Sequence, residues 1–220
     1  MDTLTERERL DDIVLAEPDN YLGRTAGGIA PGAAPGAGTV MGRVTIDTSN
    51  IVATRDAGNT GDGVLTLADP AFGTGVEPGT YVLSCIGEAP NGGVFSVETP
   101  SGVTLATANV GVAYDGVLRF TIANGATDFA VGDQITVTVG AGSGRFKACT
   151  IGATDGSADP VGVLLQDVDA ETAEVADALI LTGGPAQVNR AALVFDASFA
   201  TEAQESAAIA ALGKLGIRAL

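Results

Sequence analysis

Histidine is absent from this chain of 220 residues. That removes Ser/His and Cys/His nucleophile systems, imidazole acid/base catalysis and most transition-metal sites together. Cysteine is nearly absent too: Cys85 and Cys149 form no CxxC pair, and both are read as buried, reduced thiols. Basic residues are scarce, 11 against 27 acidic ones, for a formal charge of −16. No basic cluster exceeds the Arg7/Arg9 pair, so neither nucleic acid nor an anionic membrane is an expected partner. The opening MDTLTERERLDDIVLAEPDNYLG has no apolar run long enough for a signal peptide or a span. Synthesis in the cytoplasm, and use there or in something assembled there, is the expectation. Aromatic residues make up only 5% of the chain, whereas 31 residues are Gly and 45% are apolar. Small side chains with many turns favour a mainly β fold over a helical bundle.

What is present divides the chain into an arm and two units. Residues 1–38 read as a flexible arm, because Gly27-Gly-Ile-Ala-Pro-Gly-Ala-Ala-Pro-Gly-Ala-Gly38 is low in complexity and short of core-filling side chains. From Thr39 an alternation to about Asp47 predicts a strand. Between Asp56 and Val139 six further β runs are predicted: Gly63–Leu67, Thr80–Ile86, Val94–Glu98, Thr104–Ala108, Val117–Ile122 and Gln134–Val139. Pro78-Gly79, Asn91-Gly92-Gly93, Pro100-Ser101-Gly102 and Asp115-Gly116 supply the turn chemistry between them. This spacing predicts an antiparallel sandwich over residues 56–139. Gly140-Ala-Gly-Ser-Gly144 reads as a hinge, and further strands are expected over 145–151, 160–165, 178–182 and 192–195. Thr201-Glu-Ala-Gln204 fits a capping box that opens a helix to Leu212, with Gly213 as its stop and Ile209 and Leu212 on its docking face.

Several groups invite a chemical reading, and the bland one is preferred for each. Asp56, Asn59 and Asp62 are oxygen ligands without calcium-loop spacing or a closing Glu, so a turn is expected and no metal site. Asp167, Asp169, Glu171 and Glu174 fit a solvated turn better than paired catalytic carboxylates. Ser143 has neither nucleophile-elbow spacing nor a base to activate it. No enzyme activity and no cofactor are expected.

Four segments resemble the head decoration proteins of lambda-type tailed phages: Gly38-Thr-Val-Met-Gly-Arg-Val-Thr45, Asp155-Gly-Ser-Ala-Asp-Pro-Val-Gly-Val-Leu-Leu-Gln-Asp-Val-Asp169, Gly184-Pro-Ala-Gln-Val-Asn189 and Ala210-Ala-Leu-Gly-Lys-Leu-Gly-Ile217. In the middle, Gly79-Thr-Tyr-Val-Leu, Asn91-Gly-Gly-Val-Phe-Ser-Val, Val110-Gly-Val-Ala-Tyr and Asp128-Phe-Ala-Val-Gly-Asp133 resemble a β module of phage structural proteins. The resemblance implies a discontinuous β-clip-like decoration core, 39–55 with 140–220, carrying a short C-terminal helix, with residues 56–139 inserted as a β-sandwich. It further implies a homotrimer that cements the outer surface of the expanded capsid by binding the major capsid protein, the arm ordering on the shell. Leu10, Ile13, Leu15, Tyr21 and Leu22 are the expected apolar anchors of that arm, and the insert is expected to face solvent or a host surface. The alternative class is an adhesin-like module that recognises a host glycan or receptor.

Overall fold

A computed structural model describes residues 10–18, 21–73 and 75–220. The chain is mainly β. In order, helical turn α1 (Leu10–Ile13) leads into β1 (Val14–Ala16), β2 (Arg24–Ile29), β3 (Val40–Arg43), β4 (Ile46–Arg55), β5 (Val64–Phe72), β6 (Gly79–Ala89), β7 (Gly92–Glu98) and β8 (Ala108–Asn109). There follow β9 (Ala113–Asp115), β10 (Leu118–Ala123), β11 (Gln134–Ala141), β12 (Phe146–Ala148), β13 (Gly162–Leu164), β14 (Val175–Leu181) and β15 (Ala186–Val188), then a 3-10 turn (Arg190–Ala192), α2 (Glu202–Lys214) and β16 (Ile217–Ala219). They form two compact units, Met1–Thr45 with Gly144–Leu220 and, between them, Ile46–Ser143.

The first unit contains a closed barrel, β12-β2-β14-β13-β3, and a three-stranded sheet, β1-β15-β16. Ile29, Met41, Phe146, Leu164 and Ile180 form one core, and Ile13, Val40, Val163, Val188, Leu212 and Ile217 belong to a second. The expected arm is therefore largely built into this unit: β1 pairs antiparallel with β15, and β2 runs antiparallel to β14 from Arg24 to Ile29. Two of its glycines, Gly23 and Gly27, are there for closeness. A Cβ on Gly27 would lie 2.5 Å from the Phe146 ring, so only glycine lets β2 cross that ring.

Helix α2 opens on the expected capping box, Thr201 Oγ1 accepting from Gln204 N while Gln204 Oε1 accepts from Thr201 N. It runs two residues past Leu212, its expected end. Gly213 is helical, and the left-handed residue that ends the turn is Gly216, φ +84°. The strand expected at 192–195 is instead the 3-10 turn followed by a single bridge from Thr39 to Val194.

The second unit is a two-sheet structure around one core, with a five-stranded sheet β4-β11-β6-β7-β8 and a three-stranded sheet β5-β10-β9. Tyr81, Leu83, Phe95, Val137, Phe120 and Ile122 are inward residues of these strands, and the period-2 burial of β6, β7, β10 and β11 is the alternation seen in the sequence. Residues 46–55, expected in the decoration core, instead form β4, the first strand of this unit, paired with β11 from Ile46 to Arg55. A bulge around residues 48–50 interrupts its alternation, which hid its length. The strand expected at 104–108 reduces to a bridge at Thr104 and the two residues of β8.

Candidate functional site

No described cluster of three or more Cys, Asp or Glu residues has metal-binding geometry, and Asp56, Asp62, Asp167, Asp169 and Glu174 have other partners. Asp56 Oδ1 accepts from Gly58 N at 2.7 Å and Asp62 Oδ1 from Thr127 N at 2.8 Å. The Asn59 amide pairs with the Gln134 backbone in both directions, at 2.6 and 2.7 Å. Asp167 Oδ1 accepts from Ala37 N at 2.9 Å and Asp169 Oδ1 from Glu171 N at 3.2 Å, while Glu174 pairs with Arg145. Apart from the Glu174 ion pair, each is a connection held by an oxygen acceptor, as short polar side chains do in turns. The expected hinge begins inside β11, which extends to Ala141, and its last residue is tied down by Gly144 N donating to Val44 O at 2.9 Å.

The cysteines are buried and free. Burial pushes the Cys149 thiol up to about 11, with Asp159 and Asp196 adding to the shift, which leaves little thiolate at neutral pH.

Sequence reasoning passed over one buried carboxylate. Asp133 is only 5% exposed. Its Oδ1 accepts from Thr60 N at 2.8 Å, and Oδ2 accepts from Gly61 N and Ala130 N at 2.8 and 3.0 Å. Burial alone raises its pKa, but these N–H groups and Arg55 outweigh burial, so the net shift is downward. A carboxylate held lower in the folded state contributes stability above its unfolded pKa of about 3.9, and this is lost as pH falls through the folded value. The denaturant midpoint of the second unit should accordingly fall between pH 5 and pH 3, and fall less in Asp133→Asn. Equal falls in the two proteins would assign the acid sensitivity elsewhere.

The five residues expected as anchors are not equivalent. Ile13 is fully buried in the second core of the first unit, its carbonyl accepting from Asn189 N at 2.8 Å, so its side chain packs into the unit itself. Leu10 is half-buried against the same core. Leu15, Tyr21 and Leu22 are open, at 51%, 55% and 81% exposure. Arg24 fixes the setting of Tyr21: its guanidinium lies 4.5 Å from the Tyr21 ring centroid, and its Nε donates to Glu17 Oε2 at 2.9 Å. Strand β1 is an edge of its sheet, and beside it lies a cleft of about 350 Å³ bordered by Glu17, Pro18, Pro185, Gln187 and Arg218. An edge strand beside exposed apolar side chains is suited to contact with another polypeptide. The sequence concealed this, because an apolar strip does not say which of its members turn inward.

Comparison with known proteins matches residues 3–217 to the family model described as bacteriophage lambda head decoration protein D. No curated protein matches the chain. Two crystal structures of Xanthomonas campestris FlgL, in space groups H3 and C2, align with 50% of this chain at 19% and 18% identity and TM-scores of 0.32 and 0.31. The alignments cover 34% and 33% of the FlgL chains, so this chain spans about a third of their length.

Proposed function

Since the chain belongs to the bacteriophage lambda head decoration protein D family, whose members decorate the phage capsid, we propose that it binds the outer surface of the expanded head as a trimer and stabilises it. Membership in a family of structural capsid proteins also weighs against an enzyme. The observation that carries the reading is the family match across nearly the whole chain. It is supported by the edge strand β1 with Leu15, Tyr21 and Leu22 exposed around it. These three side chains, with Leu10 at the margin, are the proposed contacts to the major capsid protein. Three such segments per trimer let modest contacts sum through effective concentration.

Residues 46–143 are proposed as an insert that head attachment does not require. The ends of the first unit that flank it are already bonded to each other: Val44 N donates to Arg145 O at 2.8 Å and Arg43 Nε to Gly144 O at 2.8 Å. A short Gly linker should therefore close the gap.

Cosedimentation with expanded empty heads tests both parts. The whole chain and the linker-closed deletion of 46–143 should pellet with heads, whereas Tyr21→Asp/Leu22→Asp should bind at least about tenfold more weakly, the equivalent of 1.4 kcal/mol. Heads that fail to retain the wild-type chain would overturn the decoration reading. Undiminished binding by the double variant would overturn the contact assignment alone.

A further inference from the structure

The charges of the second unit are distributed unevenly. Between Ile46 and Ser143 there are ten acidic residues against Arg55 and Arg119, a net of −8. Yet the outer face of the five-stranded sheet carries almost none of them. Register places Thr54, Thr136, Val82 and Glu98 in one row across β4, β11, β6 and β7, with Val52, Thr138 and Thr80 in the next. Gln134, Ser84 and Ser96 form a third row. Residues directly opposite across an antiparallel pair share a face, and the neighbours of these along each strand, such as Tyr81, Leu83, Phe95, Ile135 and Val137, are the buried ones. The face is thus made of hydroxyls, methyls and one amide. Its acids are confined to the borders, at Glu98 and at Asp47 beyond the β4 bulge.

We infer that this uncharged face is a contact surface between two copies of this chain. Two acidic units repel each other over most approaches, and this sheet face is one on which they can meet without opposing carboxylates. Valine and threonine methyls supply apolar area, with Val52 at 52% exposure. The hydroxyls already bond within the face, Thr80 Oγ1 to Thr138 Oγ1 at 3.4 Å and Gln134 Nε2 to Ser84 Oγ at 3.5 Å, so burying them strands few polar groups. No aromatic side chain stands in its three rows, which favours a second sheet over a sugar as occupant.

Size sets the strength. Four strands at about 4.8 Å and five residues at about 3.3 Å give roughly 300–400 Å² per copy. The two copies together bury roughly 600–800 Å², below the roughly 1,200 Å² of stable complexes, so association is weak in dilute solution. Copies held side by side on a head would meet at far higher local concentration. This last step rests on the decoration reading; association in solution does not.

Sedimentation velocity and amide NMR on the full chain, up to about millimolar concentration, test the contact. Wild type should associate further as concentration rises, with shifts at Val52, Thr80, Val82, Thr136 and Thr138, and more so in 500 than in 20 mM salt, because salt screens the acidic repulsion. Val82→Glu/Thr136→Glu, both on the exposed face, should fold as wild type and weaken this association at least about tenfold while leaving head binding intact. Self-association unchanged in the double variant, or absent from wild type at high salt, would overturn the inference. So would shifts at these residues with neutral dextran and none with protein concentration, which would make the face a glycan site. Head binding is read separately, so failure of the decoration reading is not mistaken for failure of this one.

Discussion

Phe129→Ala is expected to lower the melting temperature of the second unit by roughly 15–30 °C while leaving the first unit unchanged. Phe129 lies in the connection before β11 and is 1% exposed. Its ring meets Phe95 edge to face, centroids 5.0 Å apart and planes at 90°, the arrangement the aromatic quadrupole favours. The loop between β4 and β5 closes over it so tightly that a Cβ on Gly61 or Gly63 would come within 2.6 or 2.5 Å of the ring. Truncation leaves a cavity under a loop that Asp133 also holds, through Thr60 N and Gly61 N. Loss of a buried Phe costs about 3–5 kcal/mol, a large part of the roughly 5–15 kcal/mol that holds a domain of this size. The core that contains Phe129 draws only on residues 46–139. Calorimetry should show one transition moving, and hydrogen exchange should rise in peptides from 46–143 alone. Val131→Ala, two positions on and 61% exposed, should change stability by no more than about 0.5 kcal/mol. A Phe129→Ala protein that melts like wild type would refute this account of the loop.

The second unit was the more legible because its strands are long enough to show their period. Strands β6, β7, β10 and β11 alternate cleanly, and their turns fall at Asn91, φ +52°, and at Gly93, Gly102 and Gly132, all with positive φ. The first unit hides its structure. Strands β15 and β16 have three residues each, too few to display period 2 against background. Strand β2 carries Gly27, whose reason lies on the neighbouring strand β12, in Phe146. Sequence alone reads such glycines as slack. The same limit applies to the exposed segment. Leu10, Ile13, Leu15, Tyr21 and Leu22 look alike as an apolar strip, and only the pairing of β1 with β15 decides that Ile13 turns inward while Leu15 turns out. Asp133 escaped because a lone Asp near a turn has the same spelling whether it is solvated or gathers three backbone N–H groups.

Gly184→Ala should damage the first unit as severely, through the backbone rather than a side chain. A Cβ on Gly184 would lie 2.0 Å from Gly216 O, 2.4 Å from its carbonyl carbon and 2.8 Å from its Cα. None of these atoms can rotate aside. Gly216 is itself fixed, with φ at +84° where the chain leaves α2, and Ala186 N donates to its oxygen at 3.1 Å. Relieving the clash means moving β16 off β15, which breaks a register running from Ala186/Ile217 to Val188/Ala219 and opens the core at Ile217, fully buried. The cost should be at least about 3 kcal/mol, the scale of a lost buried aliphatic side chain. Gly213→Ala is the contrast, since its Cβ would meet nothing within 4 Å inside α2, and there Ala should stabilise by about 0.5–1 kcal/mol. If the two substitutions shift the first unit's melting temperature alike, the Gly184–Gly216 contact does not hold β16. If they part as expected, the damage should also reach the edge strand, because β15 carries β16 on one side and β1 on the other. Displacing β15 unseats β1 and the Leu15–Leu22 segment, so Gly184→Ala should lose affinity for heads at temperatures where residues 46–143 remain fully folded.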